Sequence, residues 1–340
     1  SPPRSYGGGA KRGVPGVSKV YSNDVAFAAV LEAGGVAAWG AAGAGGEVPY
    51  ATARRLAVGT VENVYSNEFA FVARLADGTI DAWGYGSHGG TIPTAAQAAV
   101  DGYKVCCVFS TRSAFAARTV GGALTAWGEP GAGGNTTAVG ELLEWPKDVV
   151  INIDSTDYAF AAVLDDGRVI AWGDANAGGS IPDGLLNGAG KIVELESSGM
   201  AFAARTEGGG VLAWGSPFAG GGGPLASEIA GKSVVDIVAT EFAFAALTAD
   251  GAIVAWGDEN AGGALPAHIV DKLITTRAVK LYATEVAFAA LLEDRTVVTW
   301  GDERGGGDST KVAASLYPVN DVIASGSAFT AVLCADANNC

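Results

Sequence analysis

Ionisable side chains are scarce in this 340-residue chain. Asp, Glu, Lys and Arg make up 17% of it, histidine occurs twice and cysteine four times. His88 and His268 stand at unrelated points of the sequence, which excludes a His-rich metal centre and repeated imidazole chemistry. Long apolar runs are missing too. Nothing approaches the roughly 18 unbroken apolar residues of a membrane helix, so membrane insertion is not expected. Positive charge is in deficit, 21 Lys and Arg against 36 Asp and Glu, for a net charge of -15. A surface of that sign repels phosphate backbones, and nucleic acid is not an expected partner. What the chain does have is 49% hydrophobic residues and 51 glycines, material for a core interrupted by many turns.

The chain opens on Ser1 and is expected to be a processed product or a piece of a longer protein. Its compartment stays open, an organelle or the secretory route included. Residues 1–18 are rich in Gly and Pro, carry Arg4, Lys11 and Arg12 without an acid, and read as a lead-in or a closing strand. Residues 19–340 hold a repeat, the last copy of which is partial over 320–340.

The repeat dominates everything else. Trp-Gly recurs at Trp39, Trp83, Trp127, Trp172, Trp214, Trp256 and Trp300, at spacings of 42 to 45 residues. Each Trp follows a Phe by twelve residues: Phe27, Phe71, Phe115, Phe160, Phe202, Phe244 and Phe288. An eighth, Phe329, has no Trp after it. Ala precedes every one of these Phe residues and recurs two places beyond it. A Gly-Gly pair stands six and seven residues after each Trp, and Pro stands ten after it in five copies, Pro49, Pro93, Pro182, Pro224 and Pro266.

The constant interval of twelve has a physical cause. Asp166-Gly167, with Asp77-Gly78 and Asp250-Gly251 in equivalent places, links two β-rich segments and signals a hairpin. A hairpin of fixed loop length fixes cross-strand register, so each Phe should keep a constant relation to its Trp. A further β-rich stretch precedes the Phe strand, as in Val64-Tyr65 and Val105–Phe109. The Gly-Gly-x-x-Pro element is expected to turn the chain and to form a short edge strand, where Pro is tolerated. Three or four short strands per repeat describe a blade. The predicted fold is therefore all-β, a single β-propeller, with seven blades as the leading count. Eight is the alternative, because Phe strands number eight where Trp strands number seven. The ring is expected to close by joining the N- and C-terminal strands. The paired Phe and Trp residues form the core, each burial contributing roughly 1.5 to 3 kcal/mol.

The segment Ala161–Gly178 and its six equivalents resemble the repeat of the regulator of chromosome condensation family, whose pattern also runs through Asp-Gly and Trp-Gly. The unit Ala171–Asp174 with Pro182 is also similar to that of propeller-type β-lactamase inhibitor proteins. The resemblance spans almost the whole chain and implies a propeller that serves as a scaffold for protein contacts. Members of the first family bind a small GTPase and nucleosomes, regulate ubiquitin ligases or sense ultraviolet light through clustered Trp. This chain departs from the pattern: Ala, as at Ala159, replaces the family's His in all eight copies, and Gly179 and its equivalents replace a Gln. A nucleosome binder needs basic surfaces that a charge of -15 does not supply, and the light-sensing Gly-Trp-Arg-His-Thr motif is absent.

Variation within a constant framework marks loops free to diverge. Four residues before each Phe stands Asn, Thr or Ser, as at Asn67, Thr111 and Thr240, which side-chain bonding in a tight turn explains. Three before come Asp24, Glu68, Arg112, Asp157, Glu241 and Glu285, with Gly in the remaining two copies. Two before come Phe69, Tyr158, Met200 and Phe242 among smaller residues. If these turns share a face, acids adjoin aromatics there, a surface suited to a protein partner of basic or mixed apolar character. The segments after Trp are a second candidate, acidic at Asp174, Asp258 and Asp302, with Tyr85, His88 and Phe218 elsewhere. Trp145, outside the repeat register, is a further candidate anchor.

Cys106 and Cys107 are neighbours in a predicted strand and should face opposite sides, whereas Cys334 and Cys340 could pair in an oxidising compartment. No nucleophile, base or metal cluster is legible, so no catalytic residue, metal or cofactor is assigned. The expected function is a non-catalytic protein-interaction scaffold, such as a peripheral subunit of a larger complex. A guanine-nucleotide exchange factor for small GTPases is the alternative implied by the resemblance, and a propeller hydrolase or lyase with a pore site is the alternative of another class.

Overall fold

The computed structural model describes residues 16–144, 146–223, 229, 231–312 and 317–334. The fold is all-β, as the repeat predicts: eight small antiparallel sheets, the blade units of a β-propeller. Seven have three strands and the last has two, so the sheets follow the count of Phe strands. The chain divides into two compact units, residues 1–165 with 170–174, and residues 166–169 with 175–340.

In the first unit, sheet one is β1 (Val17–Ser22), β2 (Ala26–Leu31) and β3 (Val36–Gly40). Sheet two is β4 (Val61–Ser66), β5 (Ala70–Leu75) and β6 (Ile80–Gly84), and sheet three is β7 (Val105–Ser110), β8 (Ala114–Thr119) and β9 (Leu124–Gly128). Sheet four is β10 (Val150–Ser155), β11 (Ala159–Leu164) and β12 (Val169–Gly173), its hairpin tip belonging to the second unit. There, sheet five is β13 (Ile192–Ser197), β14 (Ala201–Thr206) and β15 (Val211–Gly215). Sheet six is β16 (Val234–Ala239), β17 (Ala243–Thr248) and β18 (Ile253–Gly257). Sheet seven is β19 (Ala278–Ala283), β20 (Ala287–Leu292) and β21 (Val297–Gly301), and sheet eight is β22 (Val319–Ala324) with β23 (Phe329–Leu333). The expected joining of the chain ends falls on residues 1–15 and 335–340, outside the described residues. In the sheets that are described, β1 pairs with β2 and β23 with β22.

The twelve-residue interval appears as register. Phe71 sits directly opposite Trp83, Phe115 opposite Trp127 and Phe244 opposite Trp256. The two rings stack with centroids 5.3 to 5.7 Å apart in every complete sheet. Six of the seven Phe partners are fully buried, and Phe27 of sheet one is 43% exposed.

The glycine pair does more than turn the chain. Gly45 adopts a left-handed φ of 93° and brings its Cα against the Phe71 ring of the following sheet, where a Cβ would lie 2.6 Å from Cδ2. Its carbonyl accepts the indole N–H of Trp83 at 3.0 Å. The same bond recurs from Trp127 to Gly89 and Trp172 to Gly133 in the first unit. In the second unit it runs from Trp214 to Gly178, Trp256 to Gly220 and Trp300 to Gly262. A buried indole N–H needs a partner, and a residue without a side chain is what lets the backbone approach close enough to supply one.

Among the described residues no edge strand follows Gly-Gly-x-x-Pro. Pro49, Pro93 and Pro266 instead precede helices α1 (Tyr50–Val58), α2 (Thr94–Val100) and α4 (Ala267–Thr275), with α3 (Thr136–Leu142) entered through Asn135. Proline's fixed φ and missing N–H suit a helix start as well as a strand edge, and the apolar spacing that follows decides between them. Leu56, Ala96 with Val100, and Ile269 bury the inner faces of α1, α2 and α4.

The first strand of each sheet carries a bulge, and in β7 it lies between Val105 and Cys107. Period-two alternation fails there, so the Cys106 and Cys107 Sγ atoms lie 3.0 Å apart rather than on opposite sides. Cys334 is disulfide-bonded, and Cys340 lies outside the described residues.

Candidate interaction rim

The turn between the first and second strand of each sheet is held by the Asn, Thr or Ser found four residues before Phe. Asn67 accepts the Phe69 N–H at 2.9 Å, and Thr111 accepts that of Ala114 at 3.1 Å. These side chains also reach the short 3-10 segment that follows Trp. Asn23 donates to the Ala44 carbonyl, Asn67 to that of His88 and Thr111 to that of Ala132, at 2.8 to 3.0 Å. Ser198, Thr240 and Thr284 do the same to Ala219, Ala261 and Gly305. The two loop sets therefore lie against each other and make one rim in each unit.

Backbone bonds run along that rim from sheet to sheet. In the first unit the Glu68 N–H donates to the Arg112 carbonyl at 3.3 Å, and the Arg112 N–H to that of Asp157 at 2.9 Å. In the second, Gly199 donates to Glu241, Glu241 to Glu285 and Glu285 to Gly326, at 2.7 to 2.9 Å. These are the positions three before Phe, so the structure brings that series into a row within each unit. The Glu285 carboxylate lies beside Gly326, 2.7 Å from where a Cβ would stand.

In the first unit the row is a charge network. Arg112 donates through Nε to Glu68 at 2.5 Å, stands 3.6 Å from the Asp157 carboxylate and lies 6.0 Å over the Tyr158 ring. The bond to Glu68 raises the already high Arg112 pKa. Burial pushes the Asp157 carboxyl up; Arg112 opposes that and Glu68 adds to it. Asp24, the equivalent residue of sheet one, is exposed. Phe69 packs edge-on to His88 at 4.6 Å, and His88 meets the exposed Tyr85 at 4.8 Å. Glu129 stands 3.9 Å from the His88 ring.

In the second unit Glu241 and Glu285 are exposed, and Phe242 meets the largely exposed Phe218 edge-on at 5.7 Å. Met200 is half-buried and packs against the core cluster holding Phe244 and Trp256, so it belongs to the interior as much as to the rim. Trp145 lies outside the described residues. The acids after Trp in this unit cap their own segments. Asp258 accepts the Asn260 N–H at 2.9 Å, and Asp302 that of Arg304 at 2.8 Å.

His88 belongs to the segments after Trp already named as the second candidate, and Glu129 joins the rim unmarked by either series. The signal was present for His88, because Ala44, Ala132, Ala177, Ala219 and Ala261 occupy the equivalent place.

Two further polar features lie elsewhere. The first strands of sheets five to eight carry Glu194 paired with Arg205, and Asp321 bonded by Tyr282 at 2.5 Å and Lys280 at 3.0 Å. Those two bonds hold the Asp321 carboxyl down to about 2, the Tyr282 hydroxyl contributing most. Burial, then Glu194, pushes the Asp236 carboxyl up. In the first unit an open cleft of about 600 Å³ is lined by Pro49, Arg55, Asp81, Ile92 and Gln97 among others. Asp81 is the one carboxylate in its lining, and Arg55 grips both of its oxygens at 2.6 and 2.8 Å. Among the described residues no helix is long and apolar enough to cross a membrane.

No protein-family model matches the chain, and no curated protein matches it. Solved structures similar to it include the ectodomain of the Physcomitrella patens receptor kinase CR4, at 16% identity and a TM-score of 0.43, covering 83% of this chain and 73% of that one. Another is Prp20p from Saccharomyces cerevisiae, described with its binding to Gsp1p and histones, at 15% identity and a TM-score of 0.42 over 70% of this chain and 71% of that one. The CRINKLY WD40 ectodomain of the Arabidopsis thaliana receptor kinase ACR4 matches at 14% identity and a TM-score of 0.43, over 84% and 97%.

Proposed function

We propose that this protein is a non-catalytic interaction module that docks a protein partner on the rim built from the turns before Phe and the segments after Trp. The observation that carries the reading is the neighbourhood of sheets two to four. There the aromatic group Phe69, Tyr85 and His88 adjoins the network of Glu68, Arg112, Asp157 and Tyr158. Aromatic anchors bordered by oriented charge are what a protein interface uses, the first for affinity and the second for register and on-rate. The surplus of acid in the chain favours a partner with a basic or mixed apolar face. A place as a peripheral subunit of a larger assembly follows from the same reading.

The test is capture from native lysate with wild type, with His88→Ala combined with Tyr85→Ala, and with Ile274→Ala on the exposed face of α4 as control. The His88 change introduces the residue that five other copies carry at that place, so the repeat fold accommodates it. The reading expects one dominant, salt-sensitive partner that the rim variant loses and the helix variant keeps. Equal retention by both variants would sink it. A nucleotide-exchange assay against small GTPases separates this module from the exchange-factor alternative.

A further inference from the structure

We propose that Cys106 and Cys107 form a covalent modification site, a vicinal dithiol that exchanges with a small-molecule disulfide such as oxidised glutathione and closes into a reversible Cys106–Cys107 disulfide. The inference rests on β7 and on Arg118 of the neighbouring β8, and is independent of the rim. Adjacent residues of a regular strand point apart, but the bulge between Val105 and Cys107 leaves Cys106 as the extra residue and turns both sulfurs together at 3.0 Å. Both cysteines are free and half-buried. None of the seven other copies has two thiols here. The equivalent pairs are Ser18-Lys19, Glu62-Asn63, Ile151-Asn152, Val193-Glu194, Val235-Asp236, Val279-Lys280 and Asn320-Asp321. The fold thus does not require them.

The surroundings assign different roles to the two sulfurs. The Arg118 guanidinium approaches the Cys107 Sγ at 3.7 Å, on the side open to an incoming group rather than to Cys106's own hydrogen bond. Cys106 donates its S–H to the Arg118 carbonyl at 3.3 Å, and burial, followed by the bond to Cys107, pushes its thiol up to about 11. Cys107 is therefore the attacking group and Cys106 the resolving one. The Cys107 thiolate attacks one sulfur of the incoming disulfide, whose S–S bond breaks. One thiolate leaves and takes the proton that Cys107 gave up. Cys106 then loses its proton and attacks the Cys107 sulfur, expelling the second thiolate, which takes that proton. The chain is oxidised by two electrons and the small disulfide is reduced to two thiols. Neighbouring Cα atoms about 3.8 Å apart fall below the usual disulfide span of about 4.4 to 6.8 Å, so the closed ring is strained and readily reduced.

The experiment treats the folded chain with excess oxidised glutathione and maps the peptide containing both residues by mass spectrometry. Wild type is expected to lose two hydrogens in that peptide, to carry no glutathione, and to regain both thiols with excess dithiothreitol. Cys106→Ser is expected to trap a stable glutathione adduct on Cys107, at least tenfold faster than Cys107→Ser acquires one on Cys106. Two persistent thiols in wild type, or two glutathiones per peptide, would overturn the proposal. Equal rates in the two variants would overturn the assignment of roles. The wild-type result stands even where a variant fails to fold.

Discussion

Gly89→Ala puts the sheet-to-sheet hook under its most direct stress. The added Cβ would lie 2.5 Å from Cδ2 and 2.9 Å from Cε2 of Phe115, a ring that is fully buried and stacked on Trp127 at 5.7 Å. Neither ring can swing away, and the Gly89 carbonyl must stay in place to receive the Trp127 N–H at 3.0 Å. Forcing one extra carbon into such a site costs about 1–3 kcal/mol. Gly89 also has a φ of 96°, and holding an L-residue in the left-handed region adds about 1–2 kcal/mol. The expected destabilisation is therefore roughly 2–5 kcal/mol. Gly140→Ala is the matched control. This glycine lies in α3 with open space around its Cα, so the same methyl should stabilise by about 0.5–1 kcal/mol. Urea titration followed by tryptophan emission and by circular dichroism reads both midpoints. Adding Phe115→Leu should relieve part of the Gly89→Ala penalty, with a coupling above about 0.5 kcal/mol. A Gly89→Ala midpoint equal to wild type, or a penalty untouched by Phe115→Leu, would refute the packing argument.

Other consequences can be measured alongside it. Phe71→Ala should cost about 3–5 kcal/mol, and Phe27→Ala clearly less because its ring is partly exposed; equal losses in thermal unfolding would contradict this. Thr111→Val removes the hydroxyl that receives the Ala114 N–H and donates to Ala132, and stranding those groups should cost about 1–3 kcal/mol by urea titration. Asp321 is held low, so its stabilising contribution is full above the ordinary Asp value near 3.8 and is lost as pH falls through about 2. Asp321→Asn should flatten the acid limb of melting temperature against pH between those values, and an unchanged slope would count against the Tyr282 and Lys280 bonds.

The parts of the fold legible in the sequence are those that a constant spacing enforces. Twelve residues from Phe to Trp cannot remain invariant through seven copies unless one register recurs, and Phe71 opposite Trp83 is that register. Contacts made between copies were not legible. The carbonyl of Gly45 serves a tryptophan 38 residues away, and nothing in Gly-Gly distinguishes a turn from a hook. Pro49 was ambiguous for a local reason, since a strand edge and a helix start both tolerate its missing N–H. The cysteine pair misled because alternation presumes an unbroken ladder, and the bulge in β7 breaks it at that residue. The rim was readable as a series of positions, whereas the pairing of Arg112 with Glu68 across 44 residues needed coordinates. His88 was readable within the segments after Trp, where it stands in place of the alanine of five other copies.

The direction of the indole hook bears on how the chain is made. Trp83 reaches back to Gly45 and Trp127 to Gly89, and in all six of these bonds among the described residues the later copy donates to the earlier. The receiving carbonyl is therefore synthesised before the donor that will seek it. Domains emerge from the ribosome amino end first, and repeats stabilise one another through neighbours. Each newly released copy thus finds its docking surface already laid down, and growth can proceed by accretion in the order of translation.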